Sequence, residues 1–250
     1  MLRNKNNKVS IYKTVESLNE AAAQLIVDLA KKSVSERGRF ALCLSGGSTP
    51  KKLYTLLSTK QYSNKIPWKN TFIFWSDKRC VPPDDERNNA HMAGITLLKK
   101  VEIPASNIFP IPVELPPTEA AAKYEETLHI FFGNAEPRFD LMLLGLGENG
   151  HTASLFPETS VLHEKKSWVK DVLVEDAVAG APHRITLTAP LINEARQILF
   201  LVTGIEKSKI LETVLTGAYL PEKYPAQLIE PEQGEVQWLI NEKAATYIRI

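Results

Sequence analysis

Short apolar runs alternate along the chain with segments whose apolar residues recur at helical spacing. The runs are typical of buried strands and the spacing is typical of amphipathic helices. Strands are predicted at 9–12, 40–44, 71–75, 108–111, 141–144, 168–174, 185–187, 198–202 and 236–240. Helices are predicted at 17–38, 50–57, 88–98, 118–132, 191–196 and 205–215, with a last short helix closing the chain. This alternation predicts an α/β fold with a mainly parallel sheet and helices on both faces. A single domain over residues 1–250 is the simplest interpretation, although the proline-rich stretch 104–117 could separate two lobes.

Hydroxyl side chains at the starts of the predicted helices indicate their N-terminal caps. Ser17 is followed three residues later by Glu20, which is the capping-box pattern, and Thr203 is followed by Glu206 in the same way. The other predicted caps are Ser48 or Thr49 before Pro50, Asn88 or Asn89, and Thr118.

Composition and charge narrow the class of protein further. Hydrophobic residues make up 44% and charged residues 24% of the chain, and 30 basic against 29 acidic residues leave a formal charge of +1. This balance provides no broad field for nucleic acid or an anionic membrane, so we expect neither as a partner. The first residues are polar, and no apolar stretch approaches the roughly 20 residues of a membrane helix. We therefore expect a soluble, cytoplasmic protein.

The two cysteines, Cys43 and Cys80, have neither metal-site spacing nor the pattern of a disulfide framework, which suits a reducing compartment. Cys80 lacks a nearby histidine in sequence, so we expect a packed thiol rather than a nucleophile.

Small or polar residues follow four of the predicted strands directly. These segments are SGGST at 45–49, SDKR at 76–79, GLGENGH at 145–151 and TG at 203–204. Parallel sheets bind their ligands beyond the carboxyl ends of the strands. We therefore expect these four segments to carry the functional site.

Three lysines lie where a helix dipole disfavours a cation. Lys51 and Lys52 fall in the first turn after the 45–49 segment, and Lys207 has the same place in a later helix. Each exposed cation there costs roughly 0.3–1 kcal/mol, whereas a bound phosphate would face free N–H groups, the dipole and a lysine together. Taken alone, each lysine is more readily explained as a solvated surface residue. Together with the glycine turn they predict an anion site, which Arg184 could complete.

His151 follows the third glycine of the GLGENGH segment. An isolated histidine is usually structural, but a glycine-rich turn has no need of an imidazole, and a neutral ring could activate water. Asp77 and Arg79 follow a strand closely, so they could either reach a ligand or form a local ion pair. The histidines with weaker contexts are His91, His129, His163 and His183.

The spacing of Gly145, Gly147 and Gly150 also matches G-x-G-x-x-G, the dinucleotide-binding fingerprint. That fingerprint requires a helix directly after the turn, whereas Pro157 cuts this segment short and His151 follows the last glycine. A dinucleotide-binding protein therefore remains an alternative with poor structural context.

Together these segments resemble the 6-phosphogluconolactonases, a family related to the glucosamine-6-phosphate deaminases. The resemblance is carried by LSGGSTP at 44–50, SDKRCVP at 76–82, FDLMLLGLGENGHTASLFP at 139–157, HRITLT at 183–188 and TGIEK at 203–207. The segments run in family order over nearly the whole chain, and the long glycine-containing one is highly specific. The resemblance implies one α/β domain with a Rossmann-like sheet. It also implies hydrolysis of 6-phospho-D-glucono-1,5-lactone to 6-phospho-D-gluconate in the oxidative pentose phosphate pathway.

The predicted site residues form a catalytic group and a binding group. The catalytic residues are His151, Arg79 and Asp77, and the substrate- and phosphate-binding residues are Ser45, Gly46, Gly47, Ser48, Thr49, Gly147, Asn149, Gly150, Arg184 and Lys207. We expect neutral His151 to take a proton from the attacking water, with the oxyanion met by Arg79 or by N–H groups of the glycine turn. Asp77 could position His151 or bind a sugar hydroxyl. The chemistry requires no metal or cofactor, and the expected state is a monomer or weak homodimer with a small sugar-phosphate lactone as its partner.

Three positions depart from the family pattern. Lys78 replaces a usually acidic residue, which leaves the orientation of Arg79 open. The deaminase branch has an aspartate where this chain has Asn149 and a glutamate where it has Phe156. Because an apolar ring cannot act as an acid or base, the lactonase is favoured over a deaminase. A non-catalytic sugar-phosphate-binding protein is a further alternative.

Overall fold

The computed structural model describes residues 2–4, 7–112, 114–174 and 181–249. Its strands are β1 (Asn7–Tyr12), β2 (Phe40–Leu44), β3 (Thr71–Trp75), β4 (Asp77–Arg79), β5 (Leu141–Leu144), β6 (Val169–Leu173), β7 (His183–Leu187), β8 (Gln197–Val202) and β9 (Glu235–Asn241). Its α-helices are α1 (Val15–Arg37), α2 (Ser48–Leu57), α3 (Lys60–Ser63), α4 (Asn89–Thr96), α5 (Pro117–Phe132), α6 (Ala189–Asn193) and α7 (Ser208–Thr216).

The main sheet is parallel and buried. Within the described residues it has six strands in the order β1-β9-β8-β5-β2-β3, and its neighbouring strands run parallel. Every residue of β2 and of β5 is buried, which requires that both faces of the sheet be covered. The predicted α/β fold with a mainly parallel sheet is confirmed, and the carboxyl ends of β2, β5 and β8 lie side by side.

A small antiparallel sheet lies apart from the main one, in the order β4-β7-β6 within the described residues. The segment 77–79, for which no strand was predicted, forms its first strand. The register pairs Asp77 with Thr186 and Arg79 with Arg184. Since alternate residues of a strand share a face, Asp77 and Arg79 point to the same side.

Two of the predicted helix caps are wrong because other hydroxyl contacts form. Thr14 caps α1: Ser17 N donates to Thr14 Oγ1 (3.1 Å) and Thr14 N donates to Ser17 Oγ (3.2 Å). Ser17 is therefore the third residue of that capping box rather than its cap. The Thr203–Glu206 box does not form, because Thr203 Oγ1 is hydrogen-bonded to Thr49 Oγ1 at 2.7 Å.

Glycine or proline replaces the predicted hydroxyl cap in two other helices. Gly47 precedes α2, and Pro116 precedes α5. The end of α1 at Gly38 (φ 72°) and the Asn88 cap of α4 are confirmed.

Proline explains two of the remaining differences. The strand predicted at 108–111 is a single bridge between Ile108 and Ile73, since Pro110 has no N–H to extend it. The helix predicted at 191–196 is shifted to α6, with Pro190 in its first turn. A short 3-10 turn precedes α7, and the helix predicted at the end of the chain is a series of turns over 242–247. No helix among the described residues combines the length and apolar character needed to cross a bilayer.

Candidate active site

The turn after β2 leaves the first N–H groups of α2 without a side-chain cap. Gly47 has a φ of 113°, which side chains rarely adopt, and it makes no cap hydrogen bond. The first turn of the helix has no acidic residue. The free N–H groups and the helix dipole therefore favour an anion beside residues 45–49, which fits the predicted phosphate site.

The end of β8 meets this turn across a cavity. The hydrogen bond between Thr49 and Thr203 joins the two strand ends, and the Lys207 side chain is only 20% exposed. Lys207 Nζ lies 3.5 Å from Oε1 of the exposed Glu148. The cavity has a volume of about 610 Å³ and is lined by both segments, so it is within the size range of small-molecule sites.

The turn after β5 folds back instead of leading into a helix. Gly147 N donates to His151 O (2.8 Å), and Gly150 N donates to Gly147 O (3.0 Å). Gly150 has a φ of 84°, and a β-carbon built on Gly147 would overlap the imidazole of His151. The two glycines are therefore required for different reasons, one for its backbone conformation and the other for close approach.

The imidazole of His151 is held in one tautomer. Asn149 Oδ1 accepts a hydrogen bond from the backbone N–H of His151 (3.2 Å) and lies 2.5 Å from Nδ1. Because that oxygen can only accept, Nδ1 carries the proton and Nε2 keeps its lone pair. The ring of Phe156 stacks on the imidazole, with 4.0 Å between the ring centres.

The same imidazole is surrounded by positive charge. Its pKa is lowered to about 4, mainly by burial and then by the charges of Arg184, Lys207 and Arg79. His151 is therefore neutral at physiological pH, as a general base must be.

Two arginines face each other across the small sheet. Arg79 and Arg184 are direct partners in the antiparallel register, where like charges destabilise a pair. Arg184 is buried, and its Nε has no hydrogen-bond partner among the described residues. Among the described residues, neither Arg79 nor Arg184 forms an ion pair. The pair is thus arranged to meet an anion, and the Cζ of Arg184 lies 5.2 Å from the centre of the Phe156 ring.

Asp77 is a buried carboxylate held by neutral donors. Ser154 Oγ donates to its Oδ2 (2.8 Å), and Asn89 Nδ2 donates to its Oδ1 (3.3 Å). Burial raises the pKa of Asp77, against the opposing effects of the Ser154 hydrogen bond and of Arg184 and Arg79. No ion pair joins Asp77 and Arg79 within the described residues. Asp77 instead fixes the segment after His151 through Ser154.

Lys78 points away from the site. Its Nζ donates to Ile111 O (2.8 Å), and the alternation of β4 places it on the face opposite Asp77 and Arg79. Burial lowers its pKa to about 8. Lys78 therefore does not contribute to the orientation of Arg79.

Two other histidines make contacts of their own, and the Cys80 thiol directly follows Arg79 in sequence. Burial raises the pKa of the Cys80 thiol, His129 stacks on Trp168 at 3.8 Å, and His163 Nε2 lies 3.5 Å from Glu222. Among the described residues, no group of three or more His, Cys, Asp or Glu side chains could hold a metal ion.

The predicted residues thus fall into two adjoining groups. The cavity brings together Gly46, Gly47, Ser48, Thr49 and Lys207. The second group contains His151, Asn149, Arg79, Arg184 and Asp77. Lys207 Nζ lies 3.5 Å from Glu148, which belongs to the turn that carries His151. Gly145 and Leu146 of that turn also line the cavity, so the two groups adjoin one another. Sequence reasoning missed Asn89 and Ser154, because only the tertiary fold brings them to Asp77.

The G-x-G-x-x-G spacing lacks its structural context. After Gly150 the next helical element among the described residues is a 3-10 turn at Ser160–His163. No helix start is therefore available at this turn for a pyrophosphate, as the position of Pro157 indicated.

Comparison with known proteins identifies the family of this chain. Residues 13–238 match the family described as glucosamine-6-phosphate isomerases/6-phosphogluconolactonase. The chain belongs to this family.

Two similar members of the family align with this chain over nearly their whole length. The 6-phosphogluconolactonases of Synechocystis sp. and Nostoc sp. are each 38% identical to it, over 97% and 95% of this chain and 98% and 99% of theirs. The solved 6-phosphogluconolactonase from Trypanosoma cruzi superposes with a TM-score of 0.86 at 26% identity, covering 98% of this chain and 97% of that one.

Proposed function

We propose that the protein hydrolyses 6-phospho-D-glucono-1,5-lactone to 6-phospho-D-gluconate. The observation that carries this proposal is the cross-strand pair of Arg79 and Arg184 beside a neutral imidazole with a free Nε2. Neither arginine forms an ion pair with a carboxylate among the described residues, which favours an anionic substrate. A neutral imidazole can deprotonate water. The names of the relatives agree with this chemistry.

The phosphate of the substrate is held where the two strand ends meet. The uncapped start of α2 supplies backbone N–H groups, and Lys207 supplies a charge on the other side of the cavity. Arg184 approaches from the small sheet and completes the grip. A fixed phosphate orients the lactone ring, so its C1 carbonyl is presented to His151.

His151 then acts as general base. Its Nε2 takes a proton from water as the water oxygen bonds to C1, and a tetrahedral oxyanion forms. When the bond between C1 and the ring oxygen breaks, the imidazolium returns the proton to that oxygen, which becomes the C5 hydroxyl. Asn149 keeps the proton on Nδ1 throughout, and general-base catalysis of this kind contributes roughly 100- to 10,000-fold.

Arg79 is the better of the two predicted oxyanion donors. Three N–H groups of the turn, those of Gly147, Gly150 and His151, already donate within it. The guanidinium of Arg79 forms no ion pair among the described residues. A preorganised cation at this point stabilises the charge that develops in the transition state.

Binding of the substrate also changes the pKa of His151. Lys207 and Arg184 help to lower the pKa of His151 in the empty site. A bound phosphate offsets both charges, so the pKa of His151 rises towards the usual value of about 6.5 and the ring becomes a stronger base.

The test is an assay in which glucose 6-phosphate is oxidised in situ and disappearance of the lactone is followed with and without the protein. Wild type should accelerate hydrolysis, and His151→Ala should lower kcat by roughly 100- to 10,000-fold while binding of 6-phosphogluconate changes little. His163→Ala removes an exposed imidazole outside the site and serves as the matched control. Unchanged turnover in His151→Ala contradicts the mechanism, and release of ammonia from glucosamine 6-phosphate without lactonase activity contradicts the proposed function.

A further inference from the structure

Gly46 is a glycine because of a side chain from another element. A β-carbon built on Gly46 would overlap the side-chain amide of Asn89, the first residue of α4. The backbone of Gly46 is not in the left-handed region, so an alanine would be acceptable there if Asn89 were absent. The phosphate-binding turn therefore packs directly on the Asn89 amide.

The other side of the same amide meets the carboxylate of the site. Asn89 Nδ2 lies 3.3 Å from Asp77 Oδ1 and 3.4 Å from Asp77 O. Asn89 is buried, and α4 is anchored independently by the neighbouring Asn88, whose side chain accepts from Ala90 N and His91 N. A rigid helix start thus holds one amide between the turn and Asp77.

We propose that Asn89 is a positioning residue for the reaction, which couples the phosphate-binding turn at Gly46 to the Asp77 carboxylate. The proposal rests on the proposed lactonase function. Through this contact, the grip on the phosphate and the position of Asp77 are set together. Asp77 in turn holds Ser154, three residues after His151.

The groups that face Asp77 come from four sides. Arg79 and Arg184 approach from the small sheet and lower its pKa. Asp77 in turn raises the pKa of Cys43 in β2 and of Tyr54 in α2, in both cases as a smaller effect than burial. Asn89 contributes no charge. Replacing Asn89 by an acid would therefore place a second carboxylate directly beside Asp77.

The coupling is tested by a double-mutant cycle on kcat/KM for the lactone. Asn89→Ala removes a hydrogen bond to a carboxylate, which should lower kcat/KM roughly 10-fold. Gly46→Ala should lower it roughly 100-fold, because the new methyl group displaces both the turn and the amide. In the double variant the methyl group occupies the space that the amide leaves, so the loss should be about that of Asn89→Ala alone. Losses that simply multiply would overturn the proposal.

A titration separates positioning from a merely structural role. Asn89→Asp keeps the shape of the side chain but sets a second carboxylate next to Asp77, so the pKa of Asp77 should rise further and the acid limb of kcat/KM should move to higher pH. Asn64→Asp makes the same chemical change at an exposed position outside the site and is the control. An Asn89→Asp profile equal to that of Asn64→Asp would overturn the proposal.

Failure of the proposed function remains distinguishable from failure of this inference. If wild type does not hydrolyse the lactone, the same variants are compared by binding of inorganic phosphate and by ¹³C NMR titration of Asp77. Gly46→Ala should then weaken phosphate binding more in wild type than in Asn89→Ala, and Asn89→Asp should raise the pKa of Asp77. Equal weakening in both backgrounds, or an unchanged Asp77 titration, would overturn the coupling. Should Asn89→Asp not fold, the Gly46 and Asn89 alanine series decides alone.

Discussion

The turns after β2 and β5 begin alike and end differently. Each follows a buried parallel strand and carries glycines. The turn after β2 leads at once into α2, and it offers backbone N–H groups. The turn after β5 folds back through its own hydrogen bonds and a left-handed residue, Ala153 (φ 47°), and it presents the side chain of His151.

The comparison shows that a glycine-rich turn after a strand can serve either as a main-chain anion site or as a support for a reactive side chain. Where a helix starts directly, the peptide groups and the dipole make an anion site that needs little from side chains. Where no helix follows, the glycines allow a side chain to approach the main chain closely, and the reactive group is positioned by contacts to Asn149 and Phe156. Glycine is required at Gly46 and Gly147 alike because a side chain occupies the space of the missing β-carbon.

The largest effect that tests this comparison is expected at the turn after β5. Gly147→Ala should push the imidazole of His151 from its position and lower kcat by roughly 100-fold, since small misplacements of a catalytic group have effects of this size. Gly94→Ala in α4 is the control, because a β-carbon there meets no atom within 4 Å and Gly94 does not line the cavity. Steady-state kinetics on the lactone measure both. Equal kinetics for the two variants would mean that the turn does not position His151.

A smaller effect is expected at the phosphate end. Lys207→Met removes the charge but retains most of the side-chain volume, and loss of one charge-assisted contact should raise KM roughly 10-fold or more. The chemical step keeps its base, so kcat should fall less than KM rises. Lys209→Met, two residues further on and exposed, is the control. A fall in kcat with an unchanged KM would place Lys207 with the reacting atoms instead.

The smallest effect links the two turns. In the empty protein, an NMR titration should find the pKa of His151 near 4. It should rise in Lys207→Met and also when 6-phosphogluconate binds, because each change removes or offsets a positive charge. The signal is assigned by its loss in His151→Gln. If the pKa of His151 changes neither on ligand binding nor in Lys207→Met, the two regions do not interact electrostatically.

The same shift has a consequence for stability. The folded pKa of His151 lies below its unfolded value, so the unfolded chain binds more protons between about pH 4 and 6.5. The free energy of unfolding therefore falls as the pH falls through this window, and His151→Gln should lose that part of the dependence. Denaturant unfolding of the two proteins at pH 4 and pH 7 measures it.

The strands of the main sheet could be predicted because burial on both faces leaves a run of apolar residues. The bounds of β2, β3 and β5 agree with those runs. The strand-end rule also predicted that the segments after β2, β5 and β8 would lie close together, and they line one cavity. The caps of α1 and α7 were wrong, since the sequence contains several hydroxyl residues that satisfy the same local pattern and tertiary contacts choose between them.

The contacts inside the site were less predictable for a related reason. The positions of Asp77 and Arg79 in sequence do not reveal that they form a strand with a partner more than a hundred residues away. Asn89 gave only the signal of a helix start. Its contact with Gly46 depends on how α4 packs, and no local pattern encodes that.

The facing arginines also bear on how a catalytic cycle ends. Opening of the lactone leaves a permanent carboxylate where the substrate had a neutral ester, so the product carries one more negative charge than the molecule that entered. Arg79 and Arg184 therefore attract the product at least as strongly as the substrate. Release of 6-phosphogluconate is therefore expected to limit the rate as this product accumulates, and added salt should speed its release by screening the charges.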